Sequence, residues 1–233
     1  MSVNTIIPKK GEVAFKWFNK YAGIVITIPT KTLVVDPADV NPKMFQTVDA
    51  VLLTHEHYDH LDETVVKDIF QRTQCQVIAD STSTKRLRSI IPQNKLQETR
   101  VGAEHRVGEI TVRTEPCNHP PASTPVTFLI TSEDGVKIYH TADSLPFPEM
   151  KRLGEQQKPH LTFCTVAIAP GASPQTGVEI AKLVQPEVAI PYHTASKTDL
   201  TRFAEMLSKQ VPNVKSQIIE QGKTYKYPVR EMS

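Results

Sequence analysis

Short apolar runs separated by turn residues fill the first third of the chain. Residues 13–18, 23–28, 32–36 and 50–53 are rich in branched side chains and lack a three-to-four-residue period, so they predict strands. A turn around Thr30 and Lys31 joins the second and third as a hairpin. The pattern changes at 62–71, where Val65, Val66, Ile69 and Phe70 form the stripe of an amphipathic helix behind an Asp62 N-cap. A short strand at 76–78 then leads to a helix over 82–90, which Pro92 ends. Strands at 110–114, 126–131 and 136–140 follow, the last two joined through an Asp134-Gly135 turn. The remainder alternates: strand 166–169, helix 176–184, strand 188–191, helix 199–210, strands 216–219 and 224–227. Antiparallel strands followed by β-α alternation, twice over, predict an α/β protein. Its architecture is a four-layer αββα sandwich of two mixed β-sheets flanked by helices, with residues 1–233 as one domain.

Composition narrows the function classes. With 27 basic and 25 acidic side chains, the charge balance does not suggest a surface for nucleic acid or membrane. The basic cluster Lys85-Arg86-Leu87-Arg88 reads as the solvated face of a helix. Three scattered cysteines, Cys75, Cys117 and Cys164, form no Cys-x-x-Cys pair and point to a reducing compartment. Met1 to Thr5 lacks a leader pattern and no run is long enough to span a bilayer, so the expectation is a cytoplasmic protein without a membrane span.

The chemistry concentrates in Thr54-His55-Glu56-His57-Tyr58-Asp59-His60, directly after the strand at 50–53. Three of the eight histidines and a carboxylate stand within six positions, a density that a packed strand end has no use for. From a tight loop, His55 and His57 can point one way while Asp59 and His60 turn toward a neighbouring point, offering half-sites for two metal ions. His119, Asp143 and His193 each follow a predicted strand, so aligned strands would bring them to the same edge. His140 lies three residues before Asp143; it could hold Asp143, stabilise charge on a substrate, or be a hydrogen-bonded core histidine. Tyr58 and Tyr192 read as packing residues, and His105 and His160 as solvent-exposed ones.

In this order the motif His55-x-His57-x-Asp59-His60, followed by His119, Asp143 and His193 and preceded by Asp36, resembles the metallo-β-lactamase-fold hydrolase superfamily. Flanks such as Tyr139-His140-Thr141-Ala142-Asp143 and Ile190-Pro191-Tyr192-His193 resemble its compact branch of ascorbate-6-phosphate lactonase-like proteins. Asn19-Lys20 departs from the Gly-His pair of many relatives. The resemblance implies one metal held by His55, His57 and His119, and a second by Asp59, His60 and His193. Asp143 would bridge them together with a water or hydroxide, and Asp36 would orient a ligand histidine. Zinc is the first expectation for the two divalent ions, with manganese, iron, nickel or cobalt tolerated.

The catalytic assignment is Asp59, Asp143 and His140, in a hydrolase that cleaves phosphoester, ester or lactone bonds of a small-molecule substrate. Pro120 to Pro125 and Ser144 to Pro148 are expected to wall the pocket. Two alternatives remain open: a sensory metal protein of the same fold, and a small nuclease or phosphodiesterase using Lys20, Lys31 or Lys197 at the metal edge. A homo-oligomer is compatible with the sequence.

Overall fold

A computed structural model describes residues 7–228, and the residues read above for a leader lie outside that range. The apolar runs pair into two seven-stranded mixed sheets. The first has the order β14 (Thr224–Tyr227), β1 (Val13–Trp17), β2 (Ile24–Thr27), β3 (Thr32–Val35), β4 (Ala50–Leu53), β5 (Gln76–Ala79), β6 (Leu96–Glu98). The second runs β13 (Lys215–Ser216), β12 (Val188–Tyr192), β11 (Leu161–Thr165), β10 (Lys137–His140), β9 (Val126–Thr131), β8 (Ile110–Pro116), β7 (Glu104–Val107). Helices α1 (Glu63–Thr73) and α2 (Ser81–Leu87) cover the first sheet, and α3 (Glu149–Gln157), α4 (Pro174–Val184) and α5 (Lys197–Gln210) cover the second. The chain thus has the expected α/β sandwich.

Two apolar layers explain why the strands read as unbroken runs. Phe15, Ile26, Leu33 and Leu52 of the first sheet meet Val112, Phe128, Ile130 and Phe163 of the second, with Phe15 edge-on to Phe163 at 5.7 Å. Their neighbours Val51, Leu53 and Val77 face outward against Val65, Val66, Ile69 and Phe70 of α1. A strand buried on both faces needs no polar alternation. Asp62 caps α1 as expected, its carboxylate accepting from the Thr64 and Val65 amides.

Strand directions decide where the chemistry gathers. β3, β4 and β5 are parallel, so Asp36 and the loop 54–62 leave the first sheet at one end. β8 and β10 both run antiparallel to β9, and β10, β11 and β12 are parallel; His119, Asp143 and His193 therefore leave the second sheet together.

Several boundaries differ from the sequence reading. The strand expected at 166–169 lies at Leu161–Thr165; residues 166–169 form a loop in which Ile168 has φ +58° and is 43 % exposed. The helix expected to reach residue 90 stops at Leu87, and the strand expected at 216–219 is only Lys215–Ser216. Strands β6 and β7 and helix α3 were not anticipated. His105 and His160 are half-buried rather than free: His105 contacts Gln97 and Thr99, and the Lys137 amide donates to His160 Nδ1. No helix among the described residues is long and apolar enough to cross a membrane.

Candidate metal centre

The centre begins at Asp36, which ends β3 in the left-handed region at φ +48° and is fully buried. Its Oδ1 accepts the Thr54 amide at 2.9 Å, and its Oδ2 accepts the Thr54 hydroxyl at 2.7 Å. His60 Nδ1 lies 2.8 Å from the same Oδ2. An ionised carboxylate only accepts, so His60 carries its proton on Nδ1 and turns Nε2 inward. Thr54, having donated to Asp36, can accept from His55 Nδ1 at 3.0 Å, which frees His55 Nε2 in the same way. One carboxylate and one hydroxyl thereby set the tautomers of two histidines. Thr54 was not singled out in the sequence; its signal was a hydroxyl between a buried strand and the first histidine of the motif.

All seven anticipated donors come together. His55, His57, His119 and Asp143 offer ligand atoms within 4.8 Å of one another, as do Asp59, His60, Asp143 and His193. Asp143 belongs to both sets, with Oδ2 toward His55 (3.9 Å) and His119 (3.7 Å) and Oδ1 toward His60 and His193 (both 2.9 Å). Asp59 Oδ2 lies 3.6 Å from His193 and 3.8 Å from His60. In the first set, His57 Nδ1 stands 3.1 Å from His55 Nε2 and 3.2 Å from His119 Nε2. Tetrahedral zinc with bonds of about 2.05 Å separates its nitrogen donors by about 3.3 Å, close to this spacing.

Orphaned atoms support the fit. His60 Nε2, both His193 nitrogens and Asp143 Oδ1 are buried without a properly directed hydrogen bond, although contacts of 2.9 Å exist between them. Such groups are costly unless a partner takes their lone pairs, and a divalent cation in each set would do so. Ala142 and His193 also hold left-handed backbone, at φ +48° and +60°. Unfavourable conformations thus cluster at the strand ends that carry donors.

The electrostatics divide the centre. Burial and the neighbouring His60 push His55 well below the usual histidine range. Burial opposes charge on His60 too, but the Asp143 and Asp36 carboxylates outweigh it and lift His60 well above that range. Burial alone would raise Asp143, yet His60 and His193 hold it well below the usual carboxylate range. Protons and a cation compete for these same atoms.

The remaining anticipated residues take different places. His140 is fully buried, its Nε2 2.9 Å from the Ala22 carbonyl, and no hydrogen bond joins it to Asp143 among the described residues. The contact braces the turn between β1 and β2, while His140 Nδ1 is buried without a hydrogen-bond partner among the described residues. Tyr192 is buried and donates to the Ala142 carbonyl at 3.2 Å. Tyr58, read as packing, is 78 % exposed. The 120–125 segment is pinned by Glu56, which accepts the Ser123 amide, and by Asp80, which accepts the Thr124 hydroxyl.

Comparison with known proteins follows the same lines. Residues 26–194 match the family described as Beta-lactamase superfamily domain. A UPF0173 metal-dependent hydrolase of Caldivirga maquilingensis is 25 % identical, over 92 % of this chain and 98 % of its own length. A UPF0173 protein of Pyrococcus furiosus is 29 % identical, over 78 % of this chain and 84 % of its own. Among solved structures, Igni18, described as a metallo hydrolase from Ignicoccus hospitalis, superposes with a TM-score of 0.78 at 19 % identity, covering 94 % of this chain and 100 % of its own.

Proposed function

The chain belongs to the Beta-lactamase superfamily domain family, and on that premise we propose that it is a metal-dependent hydrolase with a dinuclear centre. The observation that supports this most directly is the sharing of Asp143 by two complete donor sets. Each set joins imidazoles to carboxylates, a mixture that suits zinc first. When bound, two such cations polarise the scissile group and bring a water near neutral pKa, which removes the need for a serine or cysteine nucleophile.

The chain's own residues hold and complete that chemistry. Asp36 and Thr54 hold His60 and His55 by Nδ1, so both Nε2 atoms already face the donor sets before any cation arrives and little rotation of the rings accompanies binding. Asp143 places one oxygen in each set. Asp59 is the more exposed of the two carboxylates, 9 % of its side chain against 3 %, and its Oδ2, beside His60 and His193, would serve as the solvent-side donor of the second set. His140 acts through the turn it supports rather than on reacting atoms. The bonds cleaved are ester, lactone or phosphoester bonds of small substrates. Three free thiols fit work in a reducing compartment such as the cytoplasm.

The test is hydrolysis of a phosphodiester, a phosphotriester and a lactone by zinc-, manganese- or iron-reconstituted protein, with metal content measured alongside. Turnover of one class, lost in Asp143→Asn by at least about a hundredfold, is the expected result. Protein that takes up no metal would refute the reading. Two bound metals without turnover would favour the sensory alternative.

A further inference from the structure

The turn between β1 and β2, residues 18–23, stands at the same end of the first sheet as Asp36, because β2 runs antiparallel to both β1 and β3. Side chains fix this turn from several directions. Asn19 Oδ1 accepts the Tyr21 and Gly23 amides at 3.1 and 3.0 Å, and its Nδ2 donates to the Ala38 carbonyl at 2.7 Å. Trp17 Nε1 donates to the Tyr21 carbonyl at 2.6 Å, and His140 holds the Ala22 carbonyl. Gly23 is required for the packing, since a Cβ there would come within 2.3 Å of the Phe18 ring.

From this rigid turn Tyr21 sets its ring edge-on to His193 at 6.1 Å and to Tyr58 at 6.2 Å. Lys20 Nζ lies 4.9 Å from the Tyr21 ring centroid, within cation–π range. An exposed ammonium thus stands one aromatic ring away from a donor of the second set, beside an exposed phenol. Among the described residues Lys20 forms no ion pair; Asp39 is the carboxylate whose field reaches it. The other two lysines considered for the metal edge are placed differently. Lys31 pairs with Asp49 at 2.9 Å at the opposite ends of β3 and β4. Lys197 shares a cleft with Glu220, beyond the Trp17 side of the turn.

We propose that Lys20, seated on Tyr21 and flanked by the Tyr58 hydroxyl, forms the anion-recognising edge of the substrate site. It selects substrates that carry a carboxylate or phosphate group beyond the cleaved bond. The proposal rests on the hydrolase reading for the word substrate, but the anion site itself does not. The ring seat and the fixed turn hold the ammonium in place before binding, which lowers the ordering cost of recruiting an anion. Its donors and the phenol O–H are the groups an oxyanion needs.

The test pairs ligands that differ by one carboxylate: methylphosphonate and phosphonoacetate, titrated calorimetrically into zinc-loaded protein. The variants are Lys20→Gln, Lys20→Arg and Lys20→Glu, with Lys31→Gln as a charge-matched control and zinc content measured throughout. Wild type is expected to prefer phosphonoacetate, and Lys20→Gln to lose about three- to tenfold of that preference. Lys20→Glu should lose more, while Lys20→Arg and Lys31→Gln retain it. In parallel, the ratio of kcat/KM for para-nitrophenyl hemisuccinate over the neutral butyrate should fall in Lys20→Gln, through KM. Equal preference in the Lys20 and Lys31 variants would overturn the proposal. If no ester is turned over by any variant while preference still follows residue 20, the hydrolase reading fails and the anion edge stands. If both esters are turned over with selectivity independent of residue 20, the reverse holds.

Discussion

Replacing Asp36 by Asn alters one atom and no volume, yet the structure assigns it a large effect. Asp36 Oδ1 accepts the Thr54 amide, while Oδ2 accepts both the Thr54 hydroxyl and His60 Nδ1–H. An amide has one acceptor and one donor end, so it can satisfy the Thr54 amide or the His60 proton but never both. In either orientation an N–H faces an N–H in a fully buried site. Leaving one buried donor unpaired costs about 1–3 kcal/mol, and losing a charged acceptor adds about 1 kcal/mol. A net loss of about 2–4 kcal/mol in unfolding free energy is expected, read by urea denaturation of metal-free protein. The alternative escape, moving the His60 proton to Nε2, removes the lone pair that faces Asp143 and the second set. Affinity of that set should then fall about 10–100-fold, while the His55, His57 and His119 set changes little. Chelator competition would show one tight and one weakened metal per chain. Two unchanged affinities together with stability within about 0.5 kcal/mol of wild type would refute the tautomer argument.

Other outcomes follow from separate features. Stripping the metals with a chelator should lower Tm by about 5 °C or more, since binding at a hundred times Kd contributes about 2.7 kcal/mol and a chain of this size shifts about 2–4 °C per kcal/mol; an identical melting curve with and without chelator would count against tight binding. Gly154 lies in α3 where a Cβ would stand 2.2 Å from the Val184 carbonyl oxygen of α4. Gly154→Ala should therefore cost about 2 kcal/mol net despite the better helix propensity of alanine, and a more stable variant in a urea titration would show that the two helices can separate freely.

The donor set was legible because metal-binding chemistry leaves no substitute for histidine and aspartate at strand ends. His55, His57, Asp59, His60, His119, Asp143 and His193 each follow a strand that burial makes apolar, and parallel pairing carries their loops to one edge. The misplaced strand shows the limit of that signal. Leu161 to Thr165 is a central buried strand that carries two threonines, whereas Val166 to Ala169 is more apolar but turns away from the sheet. Thr162 and Thr165 are buried all the same: Thr165 donates to the Ala142 carbonyl, whereas the Thr162 hydroxyl has no hydrogen-bond partner among the described residues. Edge strands β6 and β7 were hidden for the opposite reason: solvent on one side removes the apolar run. Helix α3 buries only Met150, Leu153 and Gly154, too narrow a stripe to stand out among polar neighbours. What sequence cannot express is geometry between distant segments, such as Asp36 meeting His60 or Tyr21 meeting His193.

Strand β14 lies against β1, with Val13 opposite Tyr227, so β1 leaves the ribosome more than two hundred residues ahead of the strand that pairs with it (227 minus 13 is 214). Until then the outer edge of β1 carries unpaired amides and carbonyls next to Phe15 and Trp17, a template for pairing with another nascent chain. The second sheet, by contrast, can close from β7 to β13 before β14 emerges. The ribosome therefore delivers the metal donors of both sheets well before the first sheet is sealed. Ions captured at that stage would staple the two sheets together and shorten the interval in which the open edge is a hazard.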